Sequence, residues 1–221
     1  MPDFCPRCFW IHRHLEGKLP YQIFPGIFSS IDSYGKRLIH GWFDRKGGPP
    51  PWLSGLGDIT GYINPPHFSK FYVLDAETSV LLSGTPDGIL VRGDKAKVIV
   101  DYKTAKITGH QDELLPMYES QLNAYAYIAE RTGLGPVSGL ALVYTEPVTD
   151  EGAAGCDTNL TSEGFNLGFK VSIVPVELKA TQIPELMHKG REIFDSTRPP
   201  EAMTGCKDCV LLERLIAVAS S

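Results

Sequence analysis

The chain has 221 residues, and its 21 lysines and arginines against 26 aspartates and glutamates give a formal net charge of −5. Hydrophobic residues make up 43% and charged residues 21%, which excludes disorder of the whole chain and predicts one globular domain of ordinary size. The acidic balance excludes a protein that coats nucleic acid through bulk positive charge, although it leaves room for a confined basic groove.

The location of the protein is predicted from what the sequence lacks. No apolar run reaches the roughly 20 residues that a membrane-spanning helix needs, so we expect no membrane partner. The segment MPDFCPRCFW (1–10) lacks the basic-then-apolar pattern of a secretory signal, which predicts a cytoplasmic protein. Its five cysteines then need a role other than disulfide formation.

The first seventy residues predict a helical and loop-rich entry segment. Residues 9–19 form a candidate short helix, and residues 29–46 form a longer one with an N-cap at Ser30 or Asp32. The next segment, GGPPPWLSGLG (47–57), predicts a loop, because consecutive prolines are incompatible with a regular helix or a central strand.

The centre of the chain predicts strands around a helix. We expect SVLLSGTPDGILVR (79–92) and KVIVDYK (97–103) to be neighbouring antiparallel strands joined by a tight turn. Residues 114–133 form the clearest helix, followed by strands at 139–145 and 169–178. With a last helix from Thr181 or Gln182 to Phe194, this order predicts an α/β fold with a central mixed sheet flanked by helices.

Two aspartates and a lysine predict a divalent metal site. Asp87 lies between glycines in GTPDGI, and Asp101 and Lys103 end the VIVDYK strand, where residues two apart share a face. Converging carboxylates are the hard ligands that Mg²⁺ or Mn²⁺ prefer, and a neighbouring lysine can orient the attacking water. Each segment alone is more often a turn or a polar strand edge, so the prediction depends on their joint occurrence.

The segments GTPDGI, VDYKTAK and QLNAY together resemble the PD-(D/E)XK nuclease superfamily, in particular its RecB-like branch, which includes nucleases associated with CRISPR adaptation. The resemblance implies a restriction-endonuclease-like core with Asp87 and Asp101 as metal ligands and Lys103 as the catalytic lysine. Gln121 and Tyr125, spaced to share one helix face, would line the active site and the DNA path.

The resemblance also implies an upstream histidine ligand and a backbone ligand. His40 in GKRLIH is the first candidate and His67 in NPPHFSK the second, although a lone histidine on a helix is often structural. The backbone carbonyl of Tyr102 would complete the ligand set with Asp87 and Asp101. Nearby aromatic and basic residues are candidate contacts to a single strand, namely Tyr118, Tyr127, Lys106 and His110.

Four of the five cysteines form two C-x-x-C pairs at opposite ends of the chain, Cys5 with Cys8 and Cys206 with Cys209. The CPRCFW segment resembles the entry of iron–sulfur nucleases in the RecB-like branch, which implies a [4Fe–4S] cluster. Paired C-x-x-C segments are also the usual signature of tetrahedral Zn²⁺, so we expect a [4Fe–4S] cluster on the resemblance, with Zn²⁺ as the alternative. Either would act as a cysteine–metal staple that joins the N- and C-termini, with Cys156 as a bystander.

The sequence therefore predicts one nuclease domain: an entry segment (1–70), a catalytic α/β core (71–180), and a C-terminal helix with the second cysteine pair (181–221). The expected function is that of a metal-dependent DNA nuclease, best described as an exonuclease on single-stranded DNA or DNA ends. CRISPR-adaptation, recombination or helicase proteins are the expected partners. The alternatives are a non-catalytic DNA-binding or zinc-stapled scaffold subunit of an adaptation or repair complex, and a hydrolase of RNA.

Overall fold

A computed structural model describes residues 5–18, 25–107 and 114–221. Its core is a five-stranded sheet whose strands, in spatial order, are β1 (Ile59–Ile63), β4 (Gly88–Arg92), β5 (Lys97–Thr104), β6 (Val137–Pro147) and β9 (Phe169–Val176). The β5–β6 pair is parallel and the other pairs are antiparallel. The predicted α/β fold with a central mixed sheet is confirmed.

The remaining elements surround this sheet. Two short ribbons pair β2 (Tyr72–Leu74) with β3 (Leu81–Ser83) and β7 (Leu160–Thr161) with β8 (Gly164–Phe165). The helices are α1 (Pro6–His14), α2 (Gly26–Lys46), α3 (Leu115–Arg131), α4 (Glu151–Ala154), α5 (Ile183–Asp195) and α6 (Lys207–Ala219). Short 3₁₀ turns cover Pro51–Leu56, Asp157–Asn159 and Ala180–Gln182. None of the described helices combines the length and the apolar character that crossing a bilayer requires.

The sheet is buried between α2 on one face and α3 on the other. Val98 and Val100 of β5 pack with Phe43 of α2, whereas Ile99 packs with Leu122 of α3. Successive side chains of a strand point to opposite faces, so this alternation fixes the rest of β5. Consequently Asp101 and Lys103 face α3, and Tyr102 faces α2.

The long strand that the sequence predicts at 79–92 is divided in two. Residues 81–83 leave the main sheet and pair with β2, and the main sheet resumes only at Gly88. A Cβ atom at Gly84 would lie 2.4 Å from Cε1 of Tyr125, so the chain passes against α3 at a point where only glycine fits. Asp87 therefore immediately precedes β4 and does not lie within a strand.

Several predicted boundaries need correction. Helix α2 begins at Gly26, so the predicted caps Ser30 and Asp32 lie inside the helix. There the Ser30 hydroxyl donates to the Gly26 carbonyl, and the Asp32 carboxylate accepts from Lys36. Helix α1 likewise begins earlier than predicted, at Pro6, a residue suited to a first turn.

Four segments adopt structure that the sequence pattern did not predict. The proline-rich segment 47–57 contains a 3₁₀ turn that begins at Pro51 and buries Leu53 and Leu56 under the sheet. The loop at 150–164 contains α4 and the β7–β8 ribbon, and β1 and α6 were not predicted. The predicted helix at 114–133, both later strands and the last helix to Phe194 are confirmed as α3, β6, β9 and α5.

Candidate active site and cysteine centre

The register of two antiparallel strands brings Asp87 next to Asp101. Gly88 of β4 lies opposite Val100 of β5, and one further step along this register places Asp87 opposite Asp101. The two carboxyl groups interact, since Asp87 contributes to a raised pKa of Asp101. The convergence that the sequence predicted for these two side chains is present in the structure.

Asp87 is held by hydrogen bonds to both of its carboxylate oxygens. Oδ2 accepts from the backbone N–H of Tyr102 at 3.0 Å, and Oδ1 accepts from Nζ of Lys36 at 2.7 Å. The next residue must be glycine, because a Cβ at Gly88 would lie 2.7 Å from Cγ2 of Val100. These contacts fix the position and orientation of the Asp87 carboxylate beside β5.

Asp101 is a buried carboxylate, with only 3% of its surface exposed. The pKa of Asp101 is raised to about 6, because burial raises it more than the neighbouring Lys103 lowers it. The nearby Asp87 carboxylate also contributes to the increase. Nζ of Lys103 forms an ion pair with Oδ2 at 2.5 Å, and Oδ2 has no other partner among the described residues. Nε2 of Gln121 approaches Oδ1 at 3.4 Å. Two carboxylates with a buried and incompletely satisfied oxygen fit a hard divalent cation such as Mg²⁺ or Mn²⁺.

Helix α3 supplies the wall of the site that faces Lys103. Nε2 of Gln121 donates to the hydroxyl of Tyr125 at 2.9 Å, and burial raises the pKa of Tyr125 although Gln121 opposes this. Nζ of Lys103 lies 4.1 Å from the ring centre of Tyr118, which is cation–π distance. Gln121, Tyr125 and Tyr118 therefore border the carboxylate pair. The spacing on the helix predicted this position for Gln121 and Tyr125, whereas Tyr118 was expected only as a contact to a nucleic-acid strand.

His40 does not join the carboxylates in this structure. Its ring stacks on Tyr62, with 4.2 Å between ring centres, and burial lowers its pKa, opposed by Asp44 and assisted by Lys36. Over the described ranges, the cysteines Cys5, Cys8, Cys206 and Cys209 are the only group of three or more potential ligands whose atoms lie within 4.8 Å of one another. His67 lies in an exposed loop against Ser69.

The residue that reaches Asp87 from α2 is Lys36, one helical turn before His40. Its ammonium also contacts Oδ2 of Asp32 at 2.8 Å, so it bridges two carboxylates. Neither Asp32, expected only as a helix cap, nor Lys36 was predicted as a site residue. Their signal is the i,i+4 spacing that places Asp32, Lys36 and His40 on one face of the helix.

The candidate strand contacts have mixed outcomes. Tyr127 is buried between α3 and α5, where it packs near Ile183 and Met187. A side chain in that position cannot contact a nucleic-acid strand. Lys106 is exposed beyond the end of β5, and His110 lies outside the described residues.

The sequence profile of the PD-(D/E)XK nuclease superfamily matches residues 56–213. This chain belongs to the PD-(D/E)XK nuclease superfamily. The matched segment includes Asp87, Asp101 and Lys103, whereas Lys36 and His40 precede it. Among curated proteins, no sequence gives a significant match. Superfamily membership indicates metal-dependent nuclease chemistry on phosphodiester bonds, with DNA as substrate and divalent metals as cofactors.

The second candidate metal centre of this PD-(D/E)XK protein joins the two ends of its chain. Cys5 and Cys206 are the N-cap residues of α1 and α6, and Cys8 and Cys209 lie in the first turns. Sulfur–sulfur distances are 3.5 Å for Cys5–Cys209, 3.6 Å for Cys8–Cys206 and 3.4 Å for Cys8–Cys209, and all four thiols are free of disulfides. The four cysteines can bind a metal, as the sequence predicted.

The protonation of these thiols is uneven. Burial raises the pKa of Cys5, but hydrogen bonds, first among them the Met203 N–H at 3.3 Å, outweigh it and lower the pKa to about 6. Burial raises the pKa of Cys8, and it raises that of Cys209 to about 11. Metal binding requires thiolates, so a cation would release protons from the latter two.

Several side-chain contacts also attach the N-terminal helix to the rest of the protein. Nη1 of Arg7 pairs with Glu213 of α6 at 2.8 Å, and Nε donates to the Pro200 carbonyl at 3.0 Å. Nε1 of Trp10 donates to the Ser196 carbonyl at 2.9 Å. The ring of His14 also stacks on Phe194 of α5, with 4.8 Å between ring centres. The cysteine centre, defined as Cys5, Cys8, Cys206 and Cys209, therefore joins the N- and C-terminal segments together with these contacts.

Proposed function

We propose that this protein is a metal-dependent DNA nuclease whose active site is formed by Asp87, Asp101 and Lys103. The observation that carries the proposal is the buried Asp101 carboxylate, which shares its pocket with Asp87. The carboxylates of Asp32, Asp87 and Asp101 outnumber the ammonium groups of Lys36 and Lys103, and a divalent cation would neutralise the remaining negative charge. In a member of a nuclease superfamily, that cation would be catalytic.

The ligands would be Asp87, Asp101 and the backbone carbonyl of Tyr102. The N–H of Tyr102 donates to Asp87, and the N–H and C=O of one strand residue point to the same side of the strand. The Tyr102 carbonyl thus faces the edge at which Asp87 lies. A bound divalent cation supplies a water of lowered pKa and a Lewis acid for a phosphoryl oxygen.

The remaining residues would position the reactants. Lys103, fixed by Asp101 and the Tyr118 ring, would hold the attacking water in line with the scissile bond. Gln121 and Tyr125 would orient Asp101 and guide the strand. His40 is a further proposed ligand, but it would have to leave the Tyr62 ring to reach a cation near Asp87.

Within the superfamily, we propose that the protein is a RecB-like exonuclease that acts on single-stranded DNA or DNA ends. This proposal is supported by the order GTPDGI, VDYKTAK and QLNAY, and by a net charge of −5, which confines any DNA path to a narrow groove. The whole chain would act as one domain, with residues 71–180 as its catalytic core. Proteins of CRISPR adaptation, recombination or repair would supply any unwinding.

The test is a digestion of end-labelled single-stranded DNA, double-stranded DNA and RNA with Mg²⁺ or Mn²⁺. We expect metal-dependent cleavage of DNA, with the label pattern giving the polarity. Lys103→Ala should lose roughly 10²- to 10⁴-fold in rate, the range for a group that assists proton transfer. Lys97→Ala, at the other end of β5, is the matched control and should cut normally.

A second candidate function is a non-catalytic DNA-binding or scaffold subunit. The observation that favours it is that both oxygens of Asp87 already have hydrogen-bond donors without any metal. DNA binding by the wild type without cleavage, unchanged in Asp87→Ala, would support this function and contradict the nuclease.

For the cysteine centre we propose a single tetrahedral ion, Zn²⁺, with a [4Fe–4S] cluster as the second candidate. Zn–S bonds of about 2.3 Å place tetrahedral thiolates about 3.8 Å apart. Three of the six sulfur pairs are 3.4–3.6 Å apart, and all lie within 4.8 Å. A four-iron cluster separates its thiolates more widely, and its support is the resemblance of CPRCFW to iron–sulfur nucleases. Metal analysis and visible absorbance of freshly purified protein distinguish the two, since zinc is colourless.

A further inference from the structure

Two lysines approach the carboxylate pair from opposite faces of the sheet. Lys103 contacts Asp101 on the α3 face, and Lys36 reaches Asp87 from α2. The side chain of Lys36 is half-buried, with Nζ 2.7 Å from Asp87 and 2.8 Å from Asp32. An ammonium between two carboxylates at these distances occupies the position that a cation would take.

The geometry of this contact differs from that of a surface ion pair. A surface lysine usually pairs with one carboxylate, and such a pair contributes little to stability. Lys36 bridges an acidic residue on its own helix to one from a different element, 51 positions along the chain. Asp32 holds the ammonium in place, and the ammonium is directed at a proposed metal ligand.

The charges of the site can be counted. Asp32, Asp87 and Asp101 contribute three negative charges, and Lys36 and Lys103 contribute two positive charges. One divalent cation would turn this balance into a single positive charge, which matches one phosphodiester. Two divalent cations would leave a larger excess of positive charge and would have to displace Lys36 from Asp87.

We propose that Lys36 supplies, on the Asp87 side, the positive charge that a second divalent cation supplies in two-metal nucleases, so that this active site takes one cation. The inference rests on the proposed metal site at Asp87 and Asp101. Two-metal sites use their second ion to stabilise one of the two oxygens of an in-line displacement. Lys36 carries out that stabilisation with a fixed ammonium.

The test is the number of Mn²⁺ ions bound per chain, measured by titration calorimetry and electron paramagnetic resonance with the cysteine centre intact. We expect one ion in the wild type, absent in Asp101→Asn. Lys36→Met should bind two, because Asp32 and Asp87 lose their shared ammonium. Asp32→Asn combined with Lys36→Met should return to one.

Two controls separate this role from a structural one. Lys36→Arg keeps the charge and should still bind one Mn²⁺, and Lys46→Met, on the exposed end of the same helix, should behave as the wild type. Melting temperatures check that each variant is folded. The Mn²⁺ dependence of the cleavage rate should have a Hill coefficient near 1 in the wild type and near 2 in Lys36→Met.

The outcomes distinguish the inference from the function on which it rests. Two Mn²⁺ ions in the wild type, or one in folded Lys36→Met, would overturn the inference while leaving a metal-dependent nuclease. No Mn²⁺ at Asp101 together with no cleavage would overturn both. One ion in the wild type without cleavage would contradict the nuclease function alone, and the gain of an ion in Lys36→Met would still support the role of Lys36.

Discussion

The two candidate metal centres are built on opposite structural principles. The carboxylate site lies on a sheet whose register and buried core position Asp87 and Asp101 without any ion. The cysteine centre lies between the first turns of two helices from the two ends of the chain, beside contacts made by Arg7, Trp10 and His14. One centre is preorganised by the fold, whereas the other contributes to the fold.

Loss of each metal should therefore have a different consequence. The fold already holds the carboxylates in a desolvated site, so removing the active-site cation should leave the fold intact and abolish cleavage. A centre that joins distant segments contributes its binding free energy to folding, so removing its metal lowers stability first. Activity and stability should therefore respond to different residues.

The largest effect should come from Asp101→Asn. We expect it to lower the cleavage rate by at least about 10³-fold, because the proposed metal ligand and the partner of Lys103 are both lost. The melting temperature measured without added divalent cation should not fall, since the change removes a buried charge that burial already disfavours. A marked loss of stability in this variant would contradict the view that the fold preorganises the site.

Cys206→Ser should show the reverse pattern. We expect the free energy of unfolding to fall by several kcal/mol, because one of the four thiolates that hold the terminal segments together is lost. Cys156→Ser is the matched control, since Cys156 is exposed and lies outside the cysteine centre. Thermal denaturation before and after chelation checks both variants, and an unchanged melting temperature on metal removal would show that packing alone holds the termini.

The sequence predicted those parts of both centres that depend on local spacing. Strand alternation placed Asp101 and Lys103 on one face, the hairpin register brought Asp87 to Asp101, and the C-x-x-C pairs indicated a shared metal. Lys36 could not be found in this way, because its contact with Asp87 depends on how α2 packs across the sheet. The stacking of His40 on Tyr62 has the same tertiary origin.

Fold details were missed where packing overrides composition. The proline-rich segment was predicted to be a loop, but a 3₁₀ turn begins at Pro51. Proline is tolerated there because the N–H groups of a first helical turn have no acceptor within the helix. The predicted strand at 79–92 breaks because Gly84 passes against the ring of Tyr125. Neither tight contact is visible in the hydrophobic pattern.

A smaller effect is the pH dependence that Asp101 gives to stability. Its folded pKa is raised from 3.8 to about 6, so its stabilising contribution is complete below pH 4 and is lost as the pH rises through 6. Without divalent cation, the free energy of unfolding of Asp101→Asn relative to wild type should increase across this window by on the order of 2–3 kcal/mol. Denaturant titrations between pH 4 and pH 7 measure this difference in the free energy of unfolding. For the control Asp157→Asn, at an exposed position, the difference should not change with pH.

The smallest effect tests how far preorganisation depends on α3. Gln121→Leu removes the amide that lies between Asp101 and the Tyr125 hydroxyl while keeping a similar volume. We expect a loss of about tenfold in both Mn²⁺ affinity and cleavage rate, at the low end for residues that orient metal ligands, with the melting temperature unchanged. If the affinity stays the same while the rate falls, Gln121 acts on the DNA strand, and β4 and β5 alone orient the carboxylates.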